Sequence, residues 1–346
     1  MAFFFSRDTK VFMSWSYDGS AAKTALYEIP VLDGFSFSQG TNTSEVTLSE
    51  AANSTGGSKR GRAMFTDSFA PAEWSFSTYM RPTVSGSGSA TTATDGVTNG
   101  QHGGNADKFA IEGPLWAAMS ANTYDRATGA SSADKSDYEP NVFNFANSNQ
   151  VTLGVFDLFF VLGASKDSEG NTYTTGTDGV TVYKLANCSV GSASIDFDIE
   201  GLAQIAWSGN GQSIEEVASL ETRATDSGNS ITGTTTLGIV NEGISSTSNY
   251  IRQKLTDLAI TFDHSASTGT LGALAVDGSN DVTYNVTLTG GNITIENNLT
   301  YLTPETLGSV NLPLGHVMGT RSVSGNFTCY LNDTANSSLD LFERLK

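Results

Sequence analysis

The chain has 346 residues, with 18 basic and 36 acidic side chains and a formal charge of −18. This charge disfavours a protein that grips nucleic acid by neutralising phosphates, and by itself it indicates solubility. Only 38% of the residues are hydrophobic and 16% are charged, and Ser, Thr, Asn and Gly fill the difference. Because Ser, Thr and Asn compete with the helical backbone for hydrogen bonds, this composition predicts a mostly β protein with many turns.

The N-terminus and the longest apolar stretch predict neither export nor a membrane partner. Residues 1–8 have no basic leader, and their three consecutive phenylalanines are soon followed by the charges of Arg7 and Asp8, which does not fit a signal peptide. Residues 151–162 are interrupted by Asp157 and are too short to cross a bilayer. Two cysteines, Cys188 and Cys329, are too few for a disulfide framework, so we expect free thiols in the core.

Alternating apolar and polar residues in the N-terminal part predict half-buried strands over residues 32–38 and 74–80. In the second of these, Trp74, Phe76 and Met80 are expected to face one side of a sheet, since successive side chains point to opposite faces.

A similar alternation covers residues 194–200. Ile195, Phe197 and Ile199 are expected to face a core. Three acidic residues share the opposite face: Asp196, Asp198 and Glu200. A strand without a tight loop is a poor calcium cage, so this row does not predict a metal site.

Helical signals are few and short. Pro114 opens an apolar run that ends at Met119, and the last residues, 339–346, are amphipathic. Ser213 and Glu216 form a capping-box pattern that predicts a helix of two or three turns. Further strands are predicted at 258–262, 282–288, 293–296 and 323–331.

Loop-like composition suggests how the chain is organised. Residues 83–107 are dominated by Ser, Gly, Thr and Asn, which is typical of a boundary segment. We therefore expect a discontinuous β core formed by residues 1–82 and 181–346, with 83–180 as an inserted, loop-rich segment. Gly209 to Gly211 reads as a hairpin turn after a strand.

Two stretches share a loose plan of strands around a segment with Gly and Arg. They are residues 35–79 and 292–330, and each ends on an alternating strand that closes in Tyr and an aliphatic residue. Either the chain contains an internal duplication or its strands merely resemble one another.

No pattern in the sequence predicts catalysis, a metal or a cofactor, so we do not expect an enzyme. The three histidines, His102, His264 and His316, lack a partner at a familiar ligand spacing. Paired carboxylates for glycoside hydrolysis remain open, but no pair stands out. One basic cluster occurs, and it is either a solvated loop or an intersubunit contact with an acidic neighbour: Lys59, Arg60 and Arg62.

Several segments resemble the tail tube proteins of tailed bacteriophages, and together they cover most of the chain outside the polar loops. The segments are residues 27–39, 41–48, 60–62, 71–79, 112–119, 196–209, 297–305 and 324–331. They include the strand patterns around Asp33-Gly34-Phe35 and Glu73-Trp74-Ser75 and the apolar run from Pro114 to Met119.

The resemblance implies a β-sandwich or half-barrel of the tail-tube type with one or two short helices. Six copies would close a ring whose inner sheets form one barrel, and stacked rings would form the channel for genome ejection. Many tail tube proteins are about half this length, so the resemblance also implies an inserted or duplicated β domain. Asp196, Asp198 and Glu200 then become candidates for lining the lumen, where like charge keeps DNA from sticking.

The implied partners are other copies of the chain, together with the sheath, tape measure, baseplate and terminator proteins. DNA would pass without specific binding. The implied location is the tail of the virion, after synthesis in the host cytoplasm. The alternatives are another virion component, such as a capsid decoration or tail terminator protein, and a carbohydrate-binding or adhesive β-sandwich.

Overall fold

The computed structural model describes most of the β core and both helices. The described residues are 8–15, 25–46, 63–80, 82–84, 108–110, 112–120, 153–163, 172–177, 179–221, 230–231, 234–236, 253, 258–262, 282–304 and 310–345.

The described part is mostly β, as the composition predicts. The strands of the N-terminal half are β1 Thr9–Trp15, β2 Ala25–Ile29, β3 Ser36–Val46, β4 Ala63–Tyr79, β5 Pro82–Val84, β6 Lys108–Ala110, β7 Phe156–Leu162 and β8 Thr172–Thr174. Those that follow are β9 Thr181–Asp198, β10 Gln204–Gly211, β11 Ser213–Val217, β12 Ser219–Glu221, β13 Ser230–Ile231, β14 Thr234–Thr236, β15 Leu258–Phe262, β16 Val282–Val286, β17 Leu288–Glu296, β18 Leu299–Leu302, β19 Gly315–Met318 and β20 Ser322–Cys329.

The two helices lie where the sequence predicts them. Helix α1 spans Gly113–Ser120 and helix α2 spans Ser338–Leu345. Helix α1 is short and apolar, and nearly all of its residues are buried, so its stability comes from packing rather than from propensity. Within the described residues, no helix is long and apolar enough to cross a membrane.

The long strand β9 joins two halves of a 12-stranded sheet. Its first half pairs with β7 and β11, and through β7 and β1 the sheet continues to β2 and β14. Its second half pairs with β10 on one side and β17 on the other. We call the part of the sheet that contains this second half of β9 the six-stranded sheet, and its strand order is β3-β4-β10-β9-β17-β20.

The main core lies between the two halves. Phe160 and Leu158 on β7 pack with Trp74, Phe76 and Trp207 from the six-stranded sheet, and all five are buried. Burial of this many large side chains is the main favourable term for the fold. The predicted strand over 74–80 is therefore confirmed, with Trp74 and Phe76 facing the core.

Two smaller clusters flank the main core. One covers the other face of β1, β7 and β9 and includes Tyr173 and Leu220 from the small β8–β12 sheet. The other joins the β15–β16 hairpin to α2 through Tyr284 and Leu341. Cys188 is buried and Cys329 is partly buried, and both are free thiols, as expected.

Residues 213–217 form strand β11, so the prediction of a helix there is wrong. They pair with Val182–Ala186 of β9, and Ile214 packs against the main core. Glu215 lies opposite Lys184, with 3.2 Å between Oε1 and Nζ. A local capping pattern is worth about 1 kcal/mol, which hydrogen bonding along a neighbouring strand and apolar burial together outweigh.

Two smaller predictions in this region are also wrong. Gly209 and Gly211 belong to β10 rather than to a hairpin turn, and Gly209 pairs with Trp74 and Val190. Ile199 follows the end of β9 and is 41% exposed, so it does not extend the row of core residues begun by Ile195.

The segment 83–180 contributes to the same core as its flanks. Helix α1 packs into the main core, and β7 lies between β1 and β9 in the sheet. The domain limits at residues 82 and 181 remain a prediction.

Candidate functional site

One face of the six-stranded sheet packs on the core, and the other is lined with small polar side chains. In antiparallel pairs, directly opposed residues point to the same side, so the registers define rows across the sheet. One row runs through six strands and contains five serines and a glutamate: Ser36, Ser75, Ser208, Ser192, Glu296 and Ser322. The next two rows are Ser77, Ala206, Ser194, Thr294 and Ser324, and then Tyr79, Gln204, Asp196, Asn292 and Asn326. We call this surface the polar face.

Hydrogen bonds connect the rows of the polar face. The Ser36 and Ser75 hydroxyls are 2.8 Å apart. Asn292 Nδ2 donates to Ser194 Oγ at 3.0 Å and to Asp196 Oδ1 at 3.3 Å. Side chains that bond to their neighbours are held in place, so the surface is ordered as well as polar.

The candidate lining residues all lie at one end of this face. Asp196 and Asp198 are exposed at the C-terminal end of β9, and Glu200 is exposed just beyond the strand. The backbone N–H of Asp198 donates to the side-chain oxygen of Gln253 at 2.7 Å, where β10 no longer runs alongside. The structure thus brings together two of the three carboxylates on the face, and it places the third at its margin.

The polar face is acidic as well. Besides Asp196 and Asp198 it carries Glu73 and Glu296, both exposed, and its described strand positions include no Lys or Arg. A polyanion would meet four carboxylates and no cation there, so the surface offers none of the phosphate neutralisation that sustains binding.

The hairpin of β18 and β19 folds over the other end of the polar face. Tyr301 donates from its hydroxyl to Asn210 O at 2.9 Å, and His316 Nδ1 lies 3.2 Å from Ser189 Oγ. Burial lowers the pKa of His316 and raises that of Tyr301, because both charged forms would lose water. A neutral pair therefore anchors this hairpin over Gly191.

Both outer strands of the six-stranded sheet are open. Among the described strands, β3 pairs only with β4, and β20 pairs only with β17. Natural edge strands are usually protected by Lys, Pro or a cover. Neither β3, with eleven residues, nor β20, with eight, contains Lys or Pro.

The core face of the sheet is uncovered at its β20 end. Val323 lies opposite Ile295 and is 66% exposed, and Phe327 touches only the margin of the core through Phe197. The same face of the sheet is buried under the other strands. Apolar residues that remain exposed on it indicate a surface that another chain covers.

A buried polar cluster that the sequence did not reveal holds α1 against the sheet. Arg321 Nε donates to Asn297 Oδ1 at 2.7 Å, and Arg321 Nη2 donates to Met119 O at 3.0 Å. Asn297 Nδ2 donates to Met119 O and to Val190 O, each at 3.0 Å. A cation at the C-terminal end of a helix also suits the helix dipole.

Several predicted residues lie outside the described part of the chain. They are Lys59, Arg60 and Arg62, together with His102 and His264. Among the residues that the structure describes, no group of three or more His, Cys, Asp or Glu is placed to hold a metal. The described tryptophan rings belong to the core, where Trp116 meets Trp207 edge-on at 4.7 Å, so they do not form the exposed aromatic platform of a carbohydrate site.

A β-rich subunit with two open sheet edges is typical of proteins that assemble through their sheets. The chain is 29% identical over 341 residues to the tail tube protein pb6 of Escherichia phage T5, and the match covers 98% of this chain. It is therefore a homologue of a phage tail tube protein over nearly its whole length, which confirms the resemblance predicted from its sequence. The chain spans 60% of the length of that relative. No protein-family model matches it.

Proposed function

We propose that this protein is the structural subunit of a phage tail tube, which closes into rings that stack into a channel for the genome. The similarity over 98% of the chain to a tail tube protein carries this proposal. The role is structural and needs no catalytic step, and its place is the tail of the virion.

The open edges support lateral joining of copies. Neighbouring strands alternate in direction across the six-stranded sheet, so β3 and β20 run antiparallel to each other. Rotating one copy about a tube axis brings its β20 beside the β3 of the next copy, again in antiparallel orientation. An even number of strands per copy thus lets one uninterrupted antiparallel barrel close through a head-to-tail contact.

The resemblance implies six copies per ring. Six copies of a six-stranded sheet would place opposite backbones about 70 Å apart, given strands spaced by about 4.8 Å and tilted by about 40°. If each chain contains two tube units, three copies would complete the ring, with opposite backbones about 35 Å apart. The mass and width of a ring distinguish a ring of six copies from a ring of three.

Negative-stain microscopy of the purified protein, with mass measurement of isolated rings, tests the function. Rings or tubes are expected, with a mass that is an integral multiple of one chain. Monodisperse monomers at all concentrations would contradict the proposal.

Val323→Lys tests the lateral contact. Val323 is 66% exposed on the edge strand, so a lysine there should leave the isolated chain folded, with a melting temperature within a few degrees of the wild type. In a ring, the same lysine would lie on the apolar face beside the next copy and would lose its water. We expect a fall in ring formation of roughly tenfold or more.

Val323→Thr is the matched control, since it keeps the shape of the side chain and should still form rings. Normal rings from Val323→Lys would show that the β20 edge lies outside the lateral contact.

The polar face is the best candidate for the lining of the channel. Its rows of Ser, Thr and Asn give a low-friction surface for a hydrated duplex, and its carboxylates share the sign of DNA. In this arrangement Asp196 and Asp198 lie on the lumen wall, and Glu200 lies at its rim.

Replacing Asp196 and Asp198 by Lys should leave tubes intact but slow DNA release from virions. Both side chains are exposed, so the fold tolerates the change, whereas two cations per copy create phosphate contacts along the wall. The delay should shrink as salt rises, because counterion release drives such contacts. Ejection kinetics in vitro measure the effect.

Glu215→Lys with Glu216→Lys is the control for this charge change. Both residues lie on β11, outside the six-stranded sheet, and the exposed bridge from Glu215 to Lys184 contributes little to stability. Equal delays for the two pairs would show that net charge, and not lumen position, governs release.

Lys59, Arg60 and Arg62 are proposed as an intersubunit contact with the acidic surface of a neighbouring copy. They belong to the connection between the paired residues Val46 and Ala63. The function also implies contacts with sheath, tape measure, baseplate and terminator proteins.

A further inference from the structure

Exposed apolar side chains concentrate at the two ends of the six-stranded sheet. Fourteen large hydrophobic residues of the described part are exposed, and all but Val323 and Phe327 lie at one end or the other. Monomeric proteins rarely leave large apolar patches in contact with water unless a partner covers them.

The first of these surfaces, the hairpin end, lies where β18 and β19 fold over the polar face. Leu302 and Val317 lie on the side of that hairpin opposite Tyr301 and His316, and they are 54% and 52% exposed. Leu314 directly precedes β19 and is 71% exposed. The backbone N–H of Leu314 donates to Leu302 O at 2.9 Å, so Leu314 lies beside Leu302 at this end of the sheet. The other exposed members at this end are Val310, Leu312, Met64 and Phe65.

The segment before β19 ties the hairpin end to β4. Asn311 forms a parallel bridge with Ser68, and its carbonyl accepts from the backbone N–H of Phe69 at 2.9 Å. Residues 63–70 of β4 extend beyond the paired region of β10, and among the described strands they pair with β3 alone. Met64 and Phe65 therefore extend past the paired region of β10 at the same end of the sheet as the hairpin.

The opposite surface, the α2 end, lies where β9 and β20 stop. Ile199 follows β9, Leu202 precedes β10, and Tyr330 and Leu331 follow β20. Phe342 on α2 joins them, since α2 packs on the β15–β16 hairpin beside Leu288 and Cys329. Tyr330 and Leu331 are 65% and 66% exposed.

We propose that the hairpin end of one copy docks on the α2 end of a second copy in the next ring, so that these two surfaces form the stacking contact of the tube. This inference rests on the proposed function. The two ends differ in sequence and shape, so their contact is heterologous, and a heterologous contact along an axis repeats without closing. The edges of β3 and β20 remain free for the lateral contact.

The exposed area matches what such a contact needs. From their fractional exposures, the exposed apolar residues present roughly 700 Å² at the hairpin end and roughly 500 Å² at the α2 end. Together these areas reach the lower end of the roughly 1,200–2,000 Å² that a stable interface buries. Each copy in a ring contributes one such contact, so the area buried between two rings is the area of one contact multiplied by the number of copies.

Leu314→Asp and Leu331→Asp test the two ends separately. Both side chains are largely exposed, so the isolated chains should melt within a few degrees of the wild type. Each variant should form single rings, while the mass of tubes recovered by centrifugation falls roughly tenfold or more. Ala206→Asp is the control, because it adds the same carboxylate to an exposed position between the two ends and should still form tubes.

Mixing the two kinds of preassembled ring gives the sharper result. A Leu314→Asp ring retains an intact α2 end, and a Leu331→Asp ring retains an intact hairpin end. One ring of each kind should therefore join through these two ends, and no third ring can add because the outer ends carry the substitutions. Double rings in the mixture, with single rings in either sample alone, are expected from a head-to-tail contact and would not arise if like ends met.

The outcomes separate this inference from the proposed function. Tubes of normal length from both variants would overturn the stacking contact and leave the tube function standing. Folded monomers in place of rings would also overturn it, because the ends would then belong to the lateral contact. Failure of the wild type to form rings or tubes would contradict the function itself.

Discussion

Gly209→Ala is expected to lower the free energy of unfolding by about 3 kcal/mol. A Cβ at this position would lie 2.1 Å from the carbonyl oxygen of Ser189 and 2.6 Å from the ring of Trp74. Both neighbours are buried, and the Trp74 ring is itself held against Phe76 with their centroids 5.1 Å apart. Because neither backbone nor ring has room to withdraw, β10 must move away from β9. Urea denaturation followed by tryptophan fluorescence measures the loss.

Gly315→Ala is the matched control for this prediction. A Cβ at Gly315 would meet no atom within 4 Å, and its backbone needs no left-handed conformation. The free energy of unfolding of this variant should therefore stay within about 0.5 kcal/mol of that of the wild type. Equal midpoints for the two variants would show that β9 and β10 are less closely packed at Gly209 than the structure indicates.

Asn297→Ala is expected to cost about 3–4 kcal/mol and to loosen α1. The change removes the acceptor for Arg321 and the donor for the carbonyls of Met119 and Val190, so it strips hydrogen bonds from three buried groups. Unfolding by urea measures the stability, and Trp116 on α1, which packs against Trp207, reports the position of the helix.

Asn285→Ala controls for the amide itself, because Asn285 is exposed on β16 and should change stability by less than about 0.5 kcal/mol. A second measurement uses Arg321→Met alone and combined with Asn297→Ala. The double variant should cost less than the sum of the single variants, since the pair loses one shared interaction. Additive losses would contradict a coupled cluster.

Local periodicity explains how much of the fold the sequence predicts. The alternation from Trp74 to Met80 appears as the inner part of β4, and the apolar run after Pro114 appears as α1. The free thiols and the mostly β class are confirmed as well. The strand and the helix depend on residues close together in the chain, and the fold class and the free thiols follow from composition, so a single sequence contains their signal.

Features that depend on distant partners were missed. The capping-box pattern at Ser213 became a strand because β9 offers unpaired backbone groups there. The local pattern at Gly209 favours a turn, whereas the residue lies within β10, because its need for close approach arises from Ser189 and Trp74 across the sheet. Arg321 had no sequence signal, since its partners are 24 and 202 residues away.

Residue types and their order along the chain account for the chemistry of this protein: a composition rich in Ser, Thr and Asn, an excess of carboxylates and an alternating row with Asp196 and Asp198. Those properties follow from residue type and from a period of two along a strand. Long-range strand pairing places that row within a broad polar face, leaves β3 and β20 as the open edges, and gathers apolar residues at two opposite ends. Which strand lies at an edge depends on pairing between residues far apart in the chain, and a local pattern does not contain that information.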